Sequence, residues 1–336
     1  MKKNLIKVII TIVFVIILQV LSIDFIGTIK KPLKISGDEI ITVDDGDSIY
    51  SVLDKLKAQD KIKSTFFIKL YMKLSGINTE VYPGNHTISK DFSVKELVQT
   101  LNEHKDNGIT ITIPEGYTVK DIAELLDSEG ICKEEEFIDA VKNNPLPSYV
   151  KNNSKKRYNL EGYLFPDTYI INKDETADEI IEVMLHRFKE MWDKACKELN
   201  LTVKDDDVEY VVTVASMIEK EATLDNERSL IASVIYNRLN INMPLQIDAT
   251  VIYALGYHVD QVLYGHLETE SPYNTYLYSG IPVGPISNPG YNSIVAALNP
   301  ANTDYLYYLV ESEGKHYFTN NYDDFELKKE ELGYED

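Results

Sequence analysis

The chain opens on an apolar run from Val8 to Ile23, broken only by Thr11, Gln19 and Ser22, behind Met1-Lys2-Lys3-Asn4-Leu5-Ile6-Lys7. With Leu5 and Ile6 the run reaches about the 20 residues needed to cross the hydrocarbon core of a bilayer. Lys7 lies near the end and can snorkel. The cationic flank predicts a single-pass anchor over residues 1–23 in the cytoplasmic membrane, with the amino terminus cytoplasmic and the remainder exported. A cleaved signal peptide carries small residues before its cleavage point; here Asp24-Phe25-Ile26 follows Ile23, which favours an uncleaved anchor.

After a short linker, residues 24–38, the pattern shifts to brief periodic segments. Ile41-Thr42-Val43-Asp44-Asp45-Gly46-Asp47-Ser48-Ile49 recurs as Ile111-Thr112-Ile113-Pro114-Glu115-Gly116-Tyr117-Thr118-Val119, at a constant offset of 70 residues. Val52 and Leu56 match Ile122 and Leu126 at the same offset. Each copy predicts a strand of β-branched residues, a turn eased by glycine, and a helix capped by Ser48 or Thr118. A generic strand-turn-helix spacer satisfies the same pattern. Another capped helix is expected after Ser93. A longer one is expected from Thr176 to Leu199, opened by the capping box of Thr176 with Glu179 and carrying Ile180, Ile181, Met184, Leu185, Phe188 and Trp192 on one face. Short helices at 249–255 and 292–298 and strands at 305–309 and 315–319 complete an α+β reading. The polar loop 143–159 divides a small module, residues 39–142, from a larger region, residues 143–336.

One helical segment carries a carboxylate where an apolar residue belongs. Asp205-Asp206-Asp207 suits a helix amino terminus, and Val208 to Ala222 follows. Taking Val208 as zero at 100° per residue, Val211, Val212, Ala215, Ile218 and Ala222 fall between about −80° and 40°, and Glu219 lies at about 20°, inside that stripe. Glu221 falls at about 220°, on the face expected to be solvated. Glu219 thus points at the core or at a cleft lined by the core, where desolvation raises a carboxyl pKa. A carboxyl kept protonated near neutral pH is what a glycosidic general acid needs. A structural ion pair with Arg228 or Arg238 is the competing explanation.

Composition narrows the choice of chemistry. Of 336 residues, 34 are Lys or Arg and 54 are Asp or Glu, for a net charge of −20, which excludes a non-specific nucleic-acid binder. The first 23 residues hold three Lys and no acid, so the body beyond them carries a net −23. Cys132 and Cys196 form no CxxC pair and are expected to be buried free thiols. The histidines, at 86, 104, 186, 258, 266 and 316, form no metal-spaced pair, so no metal is expected.

Several segments together resemble a known family. Leu160-Glu161-Gly162-Tyr163-Leu164-Phe165-Pro166-Asp167-Thr168-Tyr169 and Val214-Ala215-Ser216-Met217-Ile218-Glu219-Lys220-Glu221 resemble signatures of the endolytic murein transglycosylases, also called YceG-like. Ser233 to Leu239, Met243 to Tyr253, Tyr273 to Tyr276 and Gly280 to Gly290 continue the resemblance in order, over roughly residues 40–325. Ala249 stands where the family commonly has proline. The first repeat copy is similar to a LysM module, a small βααβ unit that grips N-acetylglucosamine-containing glycans. The resemblance implies an anchor, a LysM-like module and an α+β catalytic domain.

It also implies cleavage of the β-1,4 bond between N-acetylmuramic acid and N-acetylglucosamine in nascent peptidoglycan strands. Glu219 would act as acid and then base, closing a 1,6-anhydro ring without water and without a cofactor. Substrate-binding candidates are Glu221, Gln246, Asp248, Thr250, Tyr253, Asn274, Tyr276 and Asn288. Gln and Asn suit acetamido and hydroxyl groups, and Tyr offers an apolar face to a sugar. Equally, Asn274 and Asn288 can set turns, Asp248 can cap the helix ended by Gly256, and Tyr253 can be core. The expected partners are glycan strands and the membrane, and peptidoglycan synthases are compatible with the anchor. The alternatives are a muramidase-type hydrolase pairing Glu219 with Asp248 or Glu221, and a non-enzymatic cell-wall scaffold.

Overall fold

The structure is a computed structural model that describes residues 2–44, 46–103, 108–172, 175–257, 259, 261–312 and 314–334. Asp45, His104 and His258, which figured in the sequence reading, lie outside the described residues. The chain divides into two compact units, Met1–Thr110 with Ile170–Asp174, and Ile111–Tyr169 with Glu175–Asp336.

The first unit begins with α1 (Lys2–Lys30). Its stretch Ile10–Lys30 is the one helix among the described residues long and apolar enough to cross a membrane. The helix continues beyond Ile23 into the expected linker, because its last turns gain a protein partner. Thr28 is buried and Phe25 packs edge-on against Phe67, with ring centroids 5.6 Å apart.

There follow β1 (Glu39–Val43), α2 (Ile49–Ala58), α3 (Thr65–Ser75), β2 (Gly84–Ile88) and α4 (Val94–Leu101). The order strand, helix, helix, strand closes through antiparallel pairing of β1 with β2, Ile41 opposite His86. Ser48 caps α2 and Ser93 caps α4, as expected, and both do so through capping boxes that the structure shows. Val43, Leu53, Ile62, Ile68, Ile88, Leu97 and Leu101 form the wholly buried centre of this unit.

The chain passes into the second unit within β3 (Ile109–Thr112). The second repeat copy, from Ile111 to Leu126, therefore belongs with the larger unit, whereas a boundary after residue 142 groups it with the first copy. The reason is local: Gly116 N donates to Asn288 O at 2.9 Å and Asn288 N donates to Tyr117 O at 2.8 Å, tying the copy's turn to a loop far along the chain.

The larger unit contains α5 (Val119–Ser128), α6 (Glu134–Asn143), β4 (Thr168–Ile171), α7 (Ala177–Glu198) and α8 (Asp205–Glu221). After a 3-10 turn at Asp225–Glu227 come α9 (Arg228–Asn240), α10 (Asp248–Leu255), α11 (Tyr264–Leu267) and α12 (Tyr291–Leu298). The hairpin β5 (Tyr307–Ser312) and β6 (Lys315–Thr319) and the helix α13 (Tyr322–Glu331) complete it. Thr118 and Thr176 cap α5 and α7 with capping boxes.

Helix α8 lies at the centre, packed by α9, α10 and α12. Val208, Val212, Val214, Ala215, Met217 and Ile218 are buried. Small buried residues, Ala215 and Ser216 on α8 and Ser293, Ala296 and Ala297 on α12, let the two helices lie close. Gly162, at φ 91°, is required where it stands, since a Cβ there would lie 2.6 Å from Pro285 and 2.9 Å from Val212. Cys132 is buried, Cys196 is partly exposed, and both are free.

Candidate active site

Glu219 occupies the last turn of α8, in the apolar stripe, with its side chain only 6% exposed. A carboxylate there must be paired or hydrogen-bonded. Arg228, the first residue of α9, supplies the pairing: its Nη1 lies 3.1 Å from Glu219 Oε1. The same nitrogen donates to Ser293 Oγ at 2.6 Å, and Arg228 Nε donates to Asp225 Oδ1 at 2.8 Å. The guanidinium is thus held by three elements. Arg238, the other candidate partner, instead donates to the carbonyls of Leu306, Pro244 and Leu245.

The second oxygen of Glu219 accepts the backbone N–H of Gly290 at 2.9 Å. Gly290 is the N-cap of α12, so the carboxylate sits where a helix end favours negative charge. Gly290 also makes room for a second acid. A Cβ on it would lie 1.9 Å from Glu115 Oε1 and 2.1 Å from Glu115 Cδ. Glu115 is exposed, yet desolvation raises its carboxyl pKa and the charge of Glu219 raises it further, with Arg228 opposing and Asp225 adding. Lys220 Nζ reaches Gly116 O at 3.4 Å beside this turn.

Beneath these groups lies a buried polar knot. Asn288 is wholly buried; its Oδ1 accepts from Gly162 N and Leu164 N, each at 2.9 Å, and its Nδ2 donates to Tyr117 O at 2.9 Å and Glu161 Oε1 at 3.2 Å. Glu161 Oε1 also accepts from Val119 N at 3.0 Å, and Tyr253 donates its hydroxyl to Glu161 Oε2 at 2.8 Å. Burial pushes the Glu161 carboxyl up to about 8, against the lowering effect of the Tyr253 and Val119 bonds. The knot fixes the loop that presents Gly290.

Residues 41–331 match the model of the YceG-like family. The chain belongs to the YceG-like family. A relative from Bacillus subtilis strain 168 named endolytic murein transglycosylase is 37% identical over 307 residues, 86% of this chain and 83% of its own length. One of the same name from Streptococcus pneumoniae R6 is 32% identical over 327 residues; these cover 87% of this chain but 58% of that longer protein. A crystal structure of a yceG-like protein from Listeria monocytogenes matches with a TM-score of 0.57 and 32% identity, over 86% of this chain and 98% of that one.

The remaining candidates of this YceG-like chain fall into two groups. Thr250, Tyr253, Asn274 and Asn288 are buried and satisfied within the protein. Thr250 Oγ donates to Ile247 O at 2.6 Å and lies 2.9 Å from Thr275 Oγ. Asn274 Nδ2 donates to Leu267 O and Thr269 O, and its Oδ1 accepts from Tyr276 N at 2.9 Å, which shapes the loop. These four hold the loops in place.

Gln246, Asp248, Tyr276 and Glu221 lie nearer the surface. Gln246 is exposed and adopts φ 54°, and its N–H donates to Thr275 O at 3.2 Å. Asp248 begins α10 but makes no cap bond; its carboxylate accepts the Tyr276 hydroxyl instead. Glu221 departs from the expected solvated face. It is only partly exposed, accepts the Tyr308 hydroxyl at 2.9 Å, and has its pKa raised by burial, with Asp248 adding to the effect. The β5–β6 hairpin supplies this cover, which helical phase alone does not reveal.

Sequence reasoning did not single out Glu115, Gly290 and Glu161 as members of the YceG-like site. Glu115 and Gly290 lie in the quoted repeat and motif, and Glu161 in the signature at 160–169, but none has a periodic pattern that it violates. Arg228 stood only as a structural partner of Glu219.

Proposed function

We propose that this chain is a membrane-anchored endolytic lytic transglycosylase that cleaves the bond between N-acetylmuramic acid and N-acetylglucosamine in nascent glycan strands, leaving 1,6-anhydro ends. The observation that carries the reading is Glu219, a nearly buried carboxyl that meets Gly290 N at the N-cap of α12; its ion pair with Arg228, which a structural role would also give, is read as the hold on the carboxylate that proton transfer leaves. The names of the relatives from B. subtilis and S. pneumoniae support the same activity.

The acid step uses the protonated form of Glu219, which gives its proton to the glycosidic oxygen as that bond breaks, since an unprotonated alkoxide is a poor leaving group. The carboxylate left behind is the form that Arg228 and the Gly290 N–H hold in place. It then takes the proton of the muramyl C6 hydroxyl, whose oxygen closes onto the anomeric carbon. One carboxyl thus serves both steps, and no water enters. Gln246, Asp248, Tyr276 and Glu221 line the glycan path, while Thr250, Tyr253, Asn274 and Asn288 position its loops.

The amino-terminal helix serves as the anchor, with its lysine-bearing end in the cytoplasm, and synthases are its candidate neighbours. The β1-α2-α3-β2 arrangement supports a LysM-like role for residues 39–105 in positioning glycan. The test compares wild type with Glu219→Gln on uncrosslinked strands, with products analysed by mass. Anhydro ends from wild type and none from Glu219→Gln are expected. Reducing ends would instead assign the protein to the hydrolases, and full activity in the variant would defeat the role of Glu219.

A further inference from the structure

We propose that Glu115 is the second carboxyl of the active site, facing the sugar whose bond Glu219 protonates and holding negative charge against the positive charge that develops on its ring. The inference rests on the transglycosylase reading above. It names a residue that neither the helical phase nor the motif marked.

The placement is built by Gly290. That residue gives its N–H to Glu219 Oε2 at 2.9 Å, and its missing side chain is replaced by the carboxyl of Glu115, whose Oε1 would lie 1.9 Å from a Cβ there. Covalent geometry through Gly290 then puts an oxygen of each carboxyl no more than about 7 Å apart. The two carboxyls that flank a scissile glycosidic bond stand about 5–9.5 Å apart in glycosidases generally.

Glu115 is also the acid left open for a substrate. Among the described residues it has no hydrogen-bond or ion-pair partner, whereas Asp248 is taken by Tyr276 and Glu221 by Tyr308. Its backbone is fixed even so. Gly116 N donates to Asn288 O at 2.9 Å, and Tyr117 O accepts from Asn288 N at 2.8 Å and Asn288 Nδ2 at 2.9 Å. The fixed turn thus presents an exposed carboxylate that no protein group occupies, beside the paired one of Glu219. The groups facing it are Glu219, Arg228 and Asp225; burial and the Glu219 charge work against its ionisation, and Arg228 favours the charged form that the role needs.

The reaction balances without Glu115 gaining or losing a proton. The bond from the anomeric carbon to the glycosidic oxygen breaks, and that oxygen takes the proton of Glu219. The anomeric carbon, electron-poor in between, forms a bond to the C6 hydroxyl oxygen, whose proton returns to Glu219. Glu115 acts on the electron-poor stage alone, so its effect belongs in kcat more than in KM.

The experiment uses the full chain in detergent. Wild type, Glu115→Gln, Glu115→Asp and Glu219→Gln are assayed on uncrosslinked glycan strands, with kcat, KM, product masses and melting temperature recorded. A preorganised charge of this kind predicts that Glu115→Gln loses about 10- to 100-fold in kcat, keeps KM within about threefold, melts as wild type does and still yields anhydro ends. Glu115→Asp, which keeps the charge, should retain more activity than Glu115→Gln. A Glu115→Gln variant with kcat within about twofold of wild type, or one that loses activity only through KM, overturns the charge role. Glu219→Gln separates the two levels. Its inactivity keeps the site reading whatever Glu115 does, and its full activity defeats that reading directly.

Discussion

Arg228 Nη1 stands 3.1 Å from Glu219 Oε1, and both side chains are nearly buried, at 9% and 6% exposure. Removing one member of such a pair leaves the other charge buried and unpaired, which costs about 3–5 kcal/mol. Arg228→Met is therefore expected to lower unfolding stability by about that much and to cut activity sharply. The double variant Arg228→Met/Glu219→Gln has no orphaned charge. It should recover at least half of the lost stability in a denaturant titration while staying inactive. Additive losses would mean that the pair is not coupled.

Gly290→Ala separates folding from catalysis. The added methyl group meets the carboxyl of Glu115, the far end of a flexible and exposed side chain, so Glu115 can swing away at little cost. Backbone strain is not at issue, because Gly290 has φ −74°. Stability should change by less than about 1 kcal/mol, below the usual cost of overpacking a core. Activity should fall by the same factor as in Glu115→Gln. Combining the two substitutions should cost no more than either alone, as read from kcat in a double-mutant cycle.

Asn288→Ala should be far more damaging to the fold. It strands the N–H groups of Gly162 and Leu164 in a buried setting, at about 1–3 kcal/mol each. A loss of about 2–6 kcal/mol is expected by thermal or denaturant unfolding. Asn288→Asp does not rescue it. One carboxylate oxygen could accept from both N–H groups, but the other would face Tyr117 O and Glu161 Oε1, which accept rather than donate.

Local pattern made much of this architecture legible. The caps at Ser48 and Thr118, the capping box at Thr176, the long α7 and the phase of Glu219 on α8 all depend on residues within a few positions of one another. What escaped depends on distant pairs. Glu115 meets Gly290, Asn288 meets Glu161, and Glu221 meets Tyr308 only because the fold brings loops and a hairpin over α8. The repeat copies show the same limit: alike in sequence, they fall in different units, since only the second is bonded to Asn288. Asp248 at the head of α10 has the residue type of a cap, but its carboxylate accepts the hydroxyl of Tyr276, 28 residues away.

Glu161 gives the fold a pH dependence of definite sign. It is 1% exposed, and its pKa rises from 4.5 to about 8 because burial disfavours its charge. Between those values the folded chain keeps a proton that the unfolded chain has released. The resulting stability is complete below pH 4.5 and is lost as pH rises through about 8, up to about 5 kcal/mol in all. Glu161→Gln reproduces the protonated form. Its carbonyl oxygen can still accept from Val119 N and Asn288 Nδ2, and its amide can donate to the Tyr253 hydroxyl. Unfolding measured from pH 5 to pH 8 should therefore show wild type losing stability relative to Glu161→Gln. The two should be nearly equal at pH 5, and the variant should be more stable at pH 8. A wild type that gains on the variant across the same window would mean that the knot binds the carboxylate, with Asn288 Nδ2, Val119 N and the Tyr253 hydroxyl together outweighing the cost of burying its charge.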